Sequence, residues 1–184
     1  MKKIIVFLLT LSILFTLVGC SGNMTSAERF LLAVKKMDFS AMKNELLPDQ
    51  KVGSLYLKLD SAPAEDSLLT LRNLYALVKY TVGEISEESN GVQTVEITLK
   101  VPDMERICSL AKVHAMGSGE SAETIVGNMI ADGSVTQGMM LEKTVSVKMV
   151  AEDGICKIPY ANTENKAFAE ALAIEAMIDF FAKY

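Results

Sequence analysis

Thr94-Val95-Glu96-Ile97-Thr98-Leu99-Lys100-Val101-Pro102 alternates apolar and polar residues without a break until proline closes it. Side chains of a strand point to opposite faces in turn, so this stretch reads as a strand with one dry face and one wet face. Its neighbours extend the pattern. Asn90-Gly91 is a turn signal, with positive φ available at the glycine, and Tyr80 to Ile85 precedes it as a partner strand. Farther on, Val145, Val147 and Met149 alternate with Thr144, Ser146 and Lys148. Asp153-Gly154 then turns the chain back into Ile155 to Ile158.

Helical spacing surrounds these strands. Thr25 with Glu28 three residues on forms a capping box, and Ala27, Phe30, Leu31, Val34 and Met37 follow at helical intervals. Asp38 or Ser40 caps a short second helix through Leu46, stopped by Pro48. Residues 49–60 leave two readings open, because Leu55, Leu57 and Leu59 alternate like a short strand. Pro63 opens a third helix with the stripe Leu68, Leu71, Leu74, Tyr75 and Val78. Asp103 caps a helix bearing Met104, Ile107, Cys108 and Ala111, and Gly117-Ser118-Gly119 breaks it. Another helix spans Ser121 to Ala131, whereas residues 134–141 show no clear period. Asn162 or Thr163 starts a closing helix whose inner face is Ala167, Ala171, Ile174, Ile178 and Phe181. Helices first, then hairpins with a helical insertion, then a closing helix predict an α+β domain with helices on one face of an antiparallel sheet.

The chain opens differently. Lys2 and Lys3 precede an apolar run from Ile4 to Val18, too short for the roughly 20 residues of a spanning helix and suited to a removable signal peptide. The run ends in Leu17-Val18-Gly19-Cys20. This resembles the lipobox of bacterial prolipoproteins, with Leu17, Gly19 and Cys20 matching. The resemblance implies cleavage between Gly19 and Cys20, a diacylglycerol on the Cys20 thiol, and lipoprotein-processing enzymes as transient partners. Two acyl chains suffice for stable anchoring. The expected organisation is residues 1–19 as signal peptide, 20–26 as lipidated end and tether, and 27–184 as one domain. The expected location is the outer face of the cell membrane.

The leader holds two of the 18 basic residues and none of the 23 acidic ones, so the net charge of −5 becomes −7 without it. An acidic domain repels nucleic acid and is not drawn to an anionic bilayer by charge. Besides Cys20 there are two cysteines, Cys108 and Cys156. An extracytoplasmic domain permits a disulfide between them, and two apolar-buried thiols is the other reading.

The opening Ala27-Glu28-Arg29-Phe30 through Lys36-Met37-Asp38-Phe39, the strands around Val82 and Val95 to Leu99, and the Asp153-Gly154-Ile155-Cys156-Lys157-Ile158 hairpin resemble small extracytoplasmic lipoproteins with a nuclear transport factor 2-like, cystatin-like domain. That resemblance implies a curved sheet wrapped around helices, cone-like, with a pocket at the open end. Cys156 stands where that family usually has an aromatic residue, and the insertion after Asp103 and the long last helix depart from its minimal fold.

Candidate chemistry is sparse. His114, the lone histidine, sits near a helix end where it suits capping or the surface. His114-Ala115-Met116 and Met139-Met140 carry soft ligands, but Met104, Met129, Met149 and Met177 fall on expected buried faces, where methionine fills gaps. No metal or cofactor is expected. Glu87-Glu88 and Glu152-Asp153 lie in turns, and Tyr75, Tyr80 and Tyr160 suit amphipathic packing. The function expected is a non-enzymatic, membrane-anchored lipoprotein that binds a small ligand or an envelope protein. The alternatives are a small isomerase- or hydrolase-like enzyme using the same pocket, and a structural accessory protein of the cell surface.

Overall fold

The structure, a computed structural model, describes residues 24–47, 54–60, 64–87, 91–160 and 162–183. Gly19, Cys20 and the signal segment lie outside the described residues, as does Asn90 of the first turn. The elements are α1 (Ser26–Lys36), α2 (Phe39–Glu45), α3 (Ser54–Lys58), α4 (Glu65–Ala76), β1 (Lys79–Glu87), β2 (Val92–Pro102), α5 (Met104–Ser118), α6 (Ala122–Ala131), α7 (Ser134–Gly138), β3 (Met140–Glu152), β4 (Ile155–Lys157), α8 (Lys166–Leu172) and α9 (Ile174–Lys183). A single 3₁₀ turn, Thr163–Asn165, precedes α8.

The four strands form one antiparallel sheet in the order β1-β2-β3-β4. The α+β expectation is met. Val95, Ile97, Leu99 and Val101 of β2 and Val145, Val147 and Met149 of β3 are buried against the helices, while Glu96, Lys100, Glu142, Thr144 and Ser146 face water. One sheet face is therefore dry and the other wet, as the alternation requires. β2 and β3 pair without slippage from Val92↔Val150 to Pro102↔Met140. β1 slips between Val82 and Ile85. Gly83 lies at that irregularity, where a Cβ would stand 3.1 Å from the Glu96 carbonyl oxygen, so a side chain there would have to push the strands apart by a few tenths of an ångström.

The first helix forms as the capping box demands: Thr25 Oγ1 accepts from Glu28 N–H at 3.0 Å, and Glu28 Oε2 accepts from Thr25 N–H at 2.7 Å. Ser26, expected to end the tether, belongs to the fold. It is buried, and its hydroxyl donates to the Cys156 carbonyl at 2.5 Å. Asp38 caps α2 through its bond with Ala41 N–H, and Asp103 caps α5 through Arg106 N–H. Asp153 and Gly154 both take positive φ, 50° and 78°, the two-residue turn whose twist suits a hairpin.

Three sequence expectations change. Leu55 and Leu59 belong to the α3 region, not to a strand, because both are buried on one side at helical spacing. Residues 134–138 form the short helix α7, and β3 starts earlier, at Met140. The closing helix is two helices. Ala173 takes φ 50°, in the left-handed region, and ends α8. Within α8 the buried face is Phe168, Ala171 and Leu172, so Ala167, expected inside, is exposed.

The core is continuous from α1 to α9. Phe30, Tyr160 and Phe168 meet in tilted and edge-on contacts with centroids 5.5–6.1 Å apart, a favoured aromatic geometry. Asn165, fully buried, completes this end. Its Oδ1 accepts from Lys148 N–H at 2.8 Å, and its Nδ2 donates to the Lys148 and Pro159 carbonyls. The side-chain amide thus supplies the edge of β3 with the bonds a further strand would make.

Candidate functional site

The interior of the sheet is filled by side chains, and the open space lies at its Pro102/Met140 end. There α5 leaves β2 and α7 returns to β3. Asp103 N–H donates to the Met139 carbonyl at 2.8 Å, and Arg106 Nη1 donates to the Gly138 carbonyl at 3.0 Å. These bonds fix where α5 stands. Between α5, the α8–α9 corner and the ends of β2 and β3 lies a groove of about 800 Å³.

Its walls follow from spacing. Met104, Cys108 and Lys112 recur every four residues on α5 and so share one helix face. Met177 and Phe180 oppose them from α9. Ala173 and Ala176 line the same wall, and their small side chains leave the space that larger residues would fill. Val101 and Leu141 close the sheet side, and Glu105, Lys143, Glu170, Asp179 and Lys183 stand around them. Lys112 Nζ sits 5.8 Å from the Phe180 ring centroid, within reach of a cation–π contact. Asp179 is held by Lys58 at 2.5 Å.

Cys108 is the reactive group type in this wall. Its thiol lies 3.4 Å from Met177 Sδ and donates to it. Burial pushes the thiol from its ordinary 9.0 up to about 11, and Lys112 opposes the rise. The thiol, not the thiolate, is the resting form. Cys108 carries no disulfide, so the Cys108–Cys156 bridge is not formed. The two cysteines occupy different ends of the sheet. Cys156 pairs with Ala151 on β3, is buried, and places its sulfur 3.4 Å from Gln93 Oε1.

Of the other residues singled out from sequence, Met104 and Met177 line the groove, whereas the histidine and the tyrosines do not. His114 is exposed and lines a second, smaller cavity of about 310 Å³ with Glu120, Asn128, Asp132, Met129 and Met139. It does not cap the helix end: Ser118 Oγ donates to the His114 carbonyl, and Gly119 N–H to the Ala115 carbonyl. Asp132 accepts from Ser134 N–H at 2.8 Å, and bonds from Ser134 hold its carboxyl below the usual range. Tyr75 is buried and donates to the Leu172 carbonyl at 2.8 Å. Burial, then Tyr160 and Cys108, raise its hydroxyl well above the ordinary range. Tyr160 donates to the Ala169 carbonyl at 3.5 Å, and burial, then Glu175, raise it as well. Burial, then Glu28, raise Tyr80. The Tyr75 and Tyr160 hydroxyls thus tie α4 and the Tyr160 turn to α8. Glu152 and Asp153 are exposed. Met104, Met149 and Met177 are buried, as their spacing predicts, and Met129 packs half-buried against the core.

Among the described residues, no group of three or more histidine, cysteine, aspartate or glutamate side chains is placed to hold a metal ion. Among them, too, no helix is long and apolar enough to cross a membrane. What sequence reading missed is the groove itself. Its one local signal is the run Ala167 to Ala176, where five alanines leave little volume between α8 and α9.

No protein-family model matches the chain, and no curated protein matches it by sequence. Among solved structures, the chain is similar to a candidate lipoprotein of Bacillus subtilis, YcdA, at 18% identity and a TM-score of 0.38. The match covers 77% of this chain and 44% of that one, so the chain spans less than half of that protein's length. At that score the likeness carries neither fold nor function across.

Proposed function

We propose that this chain is a lipoprotein anchored through Cys20 to the outer face of the cell membrane, and that it binds a small amphiphilic ligand in the groove between α5 and α9. The anchor rests on Leu17-Val18-Gly19-Cys20 behind a basic and then apolar leader. With Thr25 already capping α1, few residues separate Cys20 from the fold, and the domain stands close to the bilayer. The binding reading rests on one observation: an open groove of about 800 Å³ with an apolar floor and a rim of both charges. That size falls within the range of small-molecule sites, about 300 to 1,000 Å³. The chain is not an enzyme in this reading. Its buried tyrosine hydroxyls are spent on backbone carbonyls, and the buried polar residues among those described are Ser26, Ser67, Thr70, Gln93 and Asn165, with no acid.

A protein partner in the envelope is the second reading. It is favoured by Val113 and Met116 on α5, which are 66% and 89% exposed beside the groove.

Two experiments test these claims separately. Cys20→Ala should abolish metabolic fatty-acid labelling and accumulate uncleaved precursor; unchanged labelling would sink the anchor. Ala176→Trp places an indole in the groove from an exposed position on α9. Native mass spectrometry of membrane-purified protein should show a bound small molecule that this variant loses. A ligand retained by Ala176→Trp would place binding elsewhere.

A further inference from the structure

The groove wall holds a cluster of soft donors that neither ligand binding nor the anchor uses. Cys108 Sγ and Met177 Sδ lie 3.4 Å apart, bridging α5 and α9. Met104 stands one helical turn before Cys108 on the same face of α5, and all three residues line the groove. The lone histidine is not among the lining residues; it faces the smaller cavity. From this sulfur pair, with Met104 on the same wall of the groove, we propose that Cys108, Met177 and Met104 form a binding site for a soft monovalent metal ion, copper(I) or its analogue silver(I).

Ligand chemistry selects that class. Thiolate and thioether donors suit copper(I), whereas imidazole and carboxylate suit harder ions. Geometry is compatible with it. Two sulfurs held by one ion at about 2.3 Å, the length zinc–thiolate bonds take, stand about 3.8 to 4.0 Å apart. The observed pair therefore needs to open by only about half an ångström, and the groove offers the room. The metal enters as a cation and forms one bond to the Cys108 sulfur, whose S–H bond breaks. The proton leaves to solvent, both thioethers donate lone pairs, and no electron is transferred. Lys112, whose ammonium nears the Phe180 ring, lowers the cost of the thiolate. Proton release makes binding tighten as pH rises.

The proposal goes beyond the ligand reading and stands without it, because a metal titration reads sulfur ligation whether or not an organic molecule binds. The test uses full-length protein purified from membranes in detergent, titrated anaerobically with copper(I) against a chromogenic copper(I) chelator. One equivalent should be withheld from the chelator, with thiolate-to-copper absorption in the near ultraviolet. Cys108→Ser should abolish both. Met177→Leu and Met104→Leu keep the side-chain volume, and each should weaken binding at least about 10-fold, the loss that removing even an outer-shell partner causes. Circular dichroism of each variant reports folding, and Ala176→Trp tells whether ligand loss and metal loss coincide. Three results overturn the proposal: no copper withheld by the wild type, copper withheld equally by Cys108→Ser, or affinity unchanged in both folded methionine variants.

Discussion

The two ends of the β2–β3 hairpin solve packing in opposite ways. At the Val92/Val150 end, Ser26, Cys156 and Asn165 are buried and each has polar or sulfur contacts across elements. Phe30, Tyr160 and Phe168 fill the adjoining space. About 30 Å away along β2, the Val101/Leu141 end is floored by alanines, methionines and a half-buried thiol, and it stays open. The difference teaches that one small α+β domain can close one end of its sheet with interlocking polar and aromatic contacts while the other end stays open.

If that contrast is right, substitutions should be severe at the first end and mild at the second. Phe30→Ala removes a fully buried ring and should cost about 3 to 5 kcal/mol in urea unfolding. A loss below about 1 kcal/mol would mean that end is not the stabilising one. Asn165→Ala leaves the β3 edge and the Pro159 carbonyl without partners and should cost about 2 to 3 kcal/mol. Ala173→Gly relieves a left-handed alanine whose strain is about 1 to 2 kcal/mol. Greater freedom of the unfolded glycine offsets part of that, so a rise of up to about 1 kcal/mol is expected. Met116→Ser, on the exposed face beside the groove, should change stability by no more than about 0.5 kcal/mol.

Alkali should sharpen the contrast. The Cys108 thiol titrates near 11 in the fold and near 9.0 in its ordinary state. Between those values the unfolded chain has lost a proton that the folded chain keeps, so stability falls as pH rises from about 9 to 11. Tyr75 and Tyr160, also raised by burial, add to the fall at higher pH. Urea midpoints measured from pH 8 to 11 should decline, and less so in Cys108→Ala. At pH 8 the Cys108 thiol should react with iodoacetamide more slowly than a free thiol, because its thiolate is scarce.

Much of this was legible locally. The period of two in Thr94 to Val101 named the dry and wet faces, because neighbouring side chains of a strand have no choice of side. Thr25, Asp38 and Asp103 marked helix starts, because a cap is a bond between residues three apart. Residues 54–60 were not legible. A leucine at every second position satisfies a short helix and a short strand equally, and only the core that Leu55 and Leu59 enter decides. Ala173 was opaque for a related reason, since alanine is the best helix former and carries no sign of a break.

By itself, then, the sequence determined the strand faces, the helix caps and the α+β class, since each depends on residues close in the chain. Tertiary structure alone decided that Cys108 meets Met177 rather than Cys156, that the last helix bends at Ala173, and that a groove remains between α5 and α9. These are consequences of which surfaces meet once the whole core is packed, and the contacts that decide them join residues far apart in the chain.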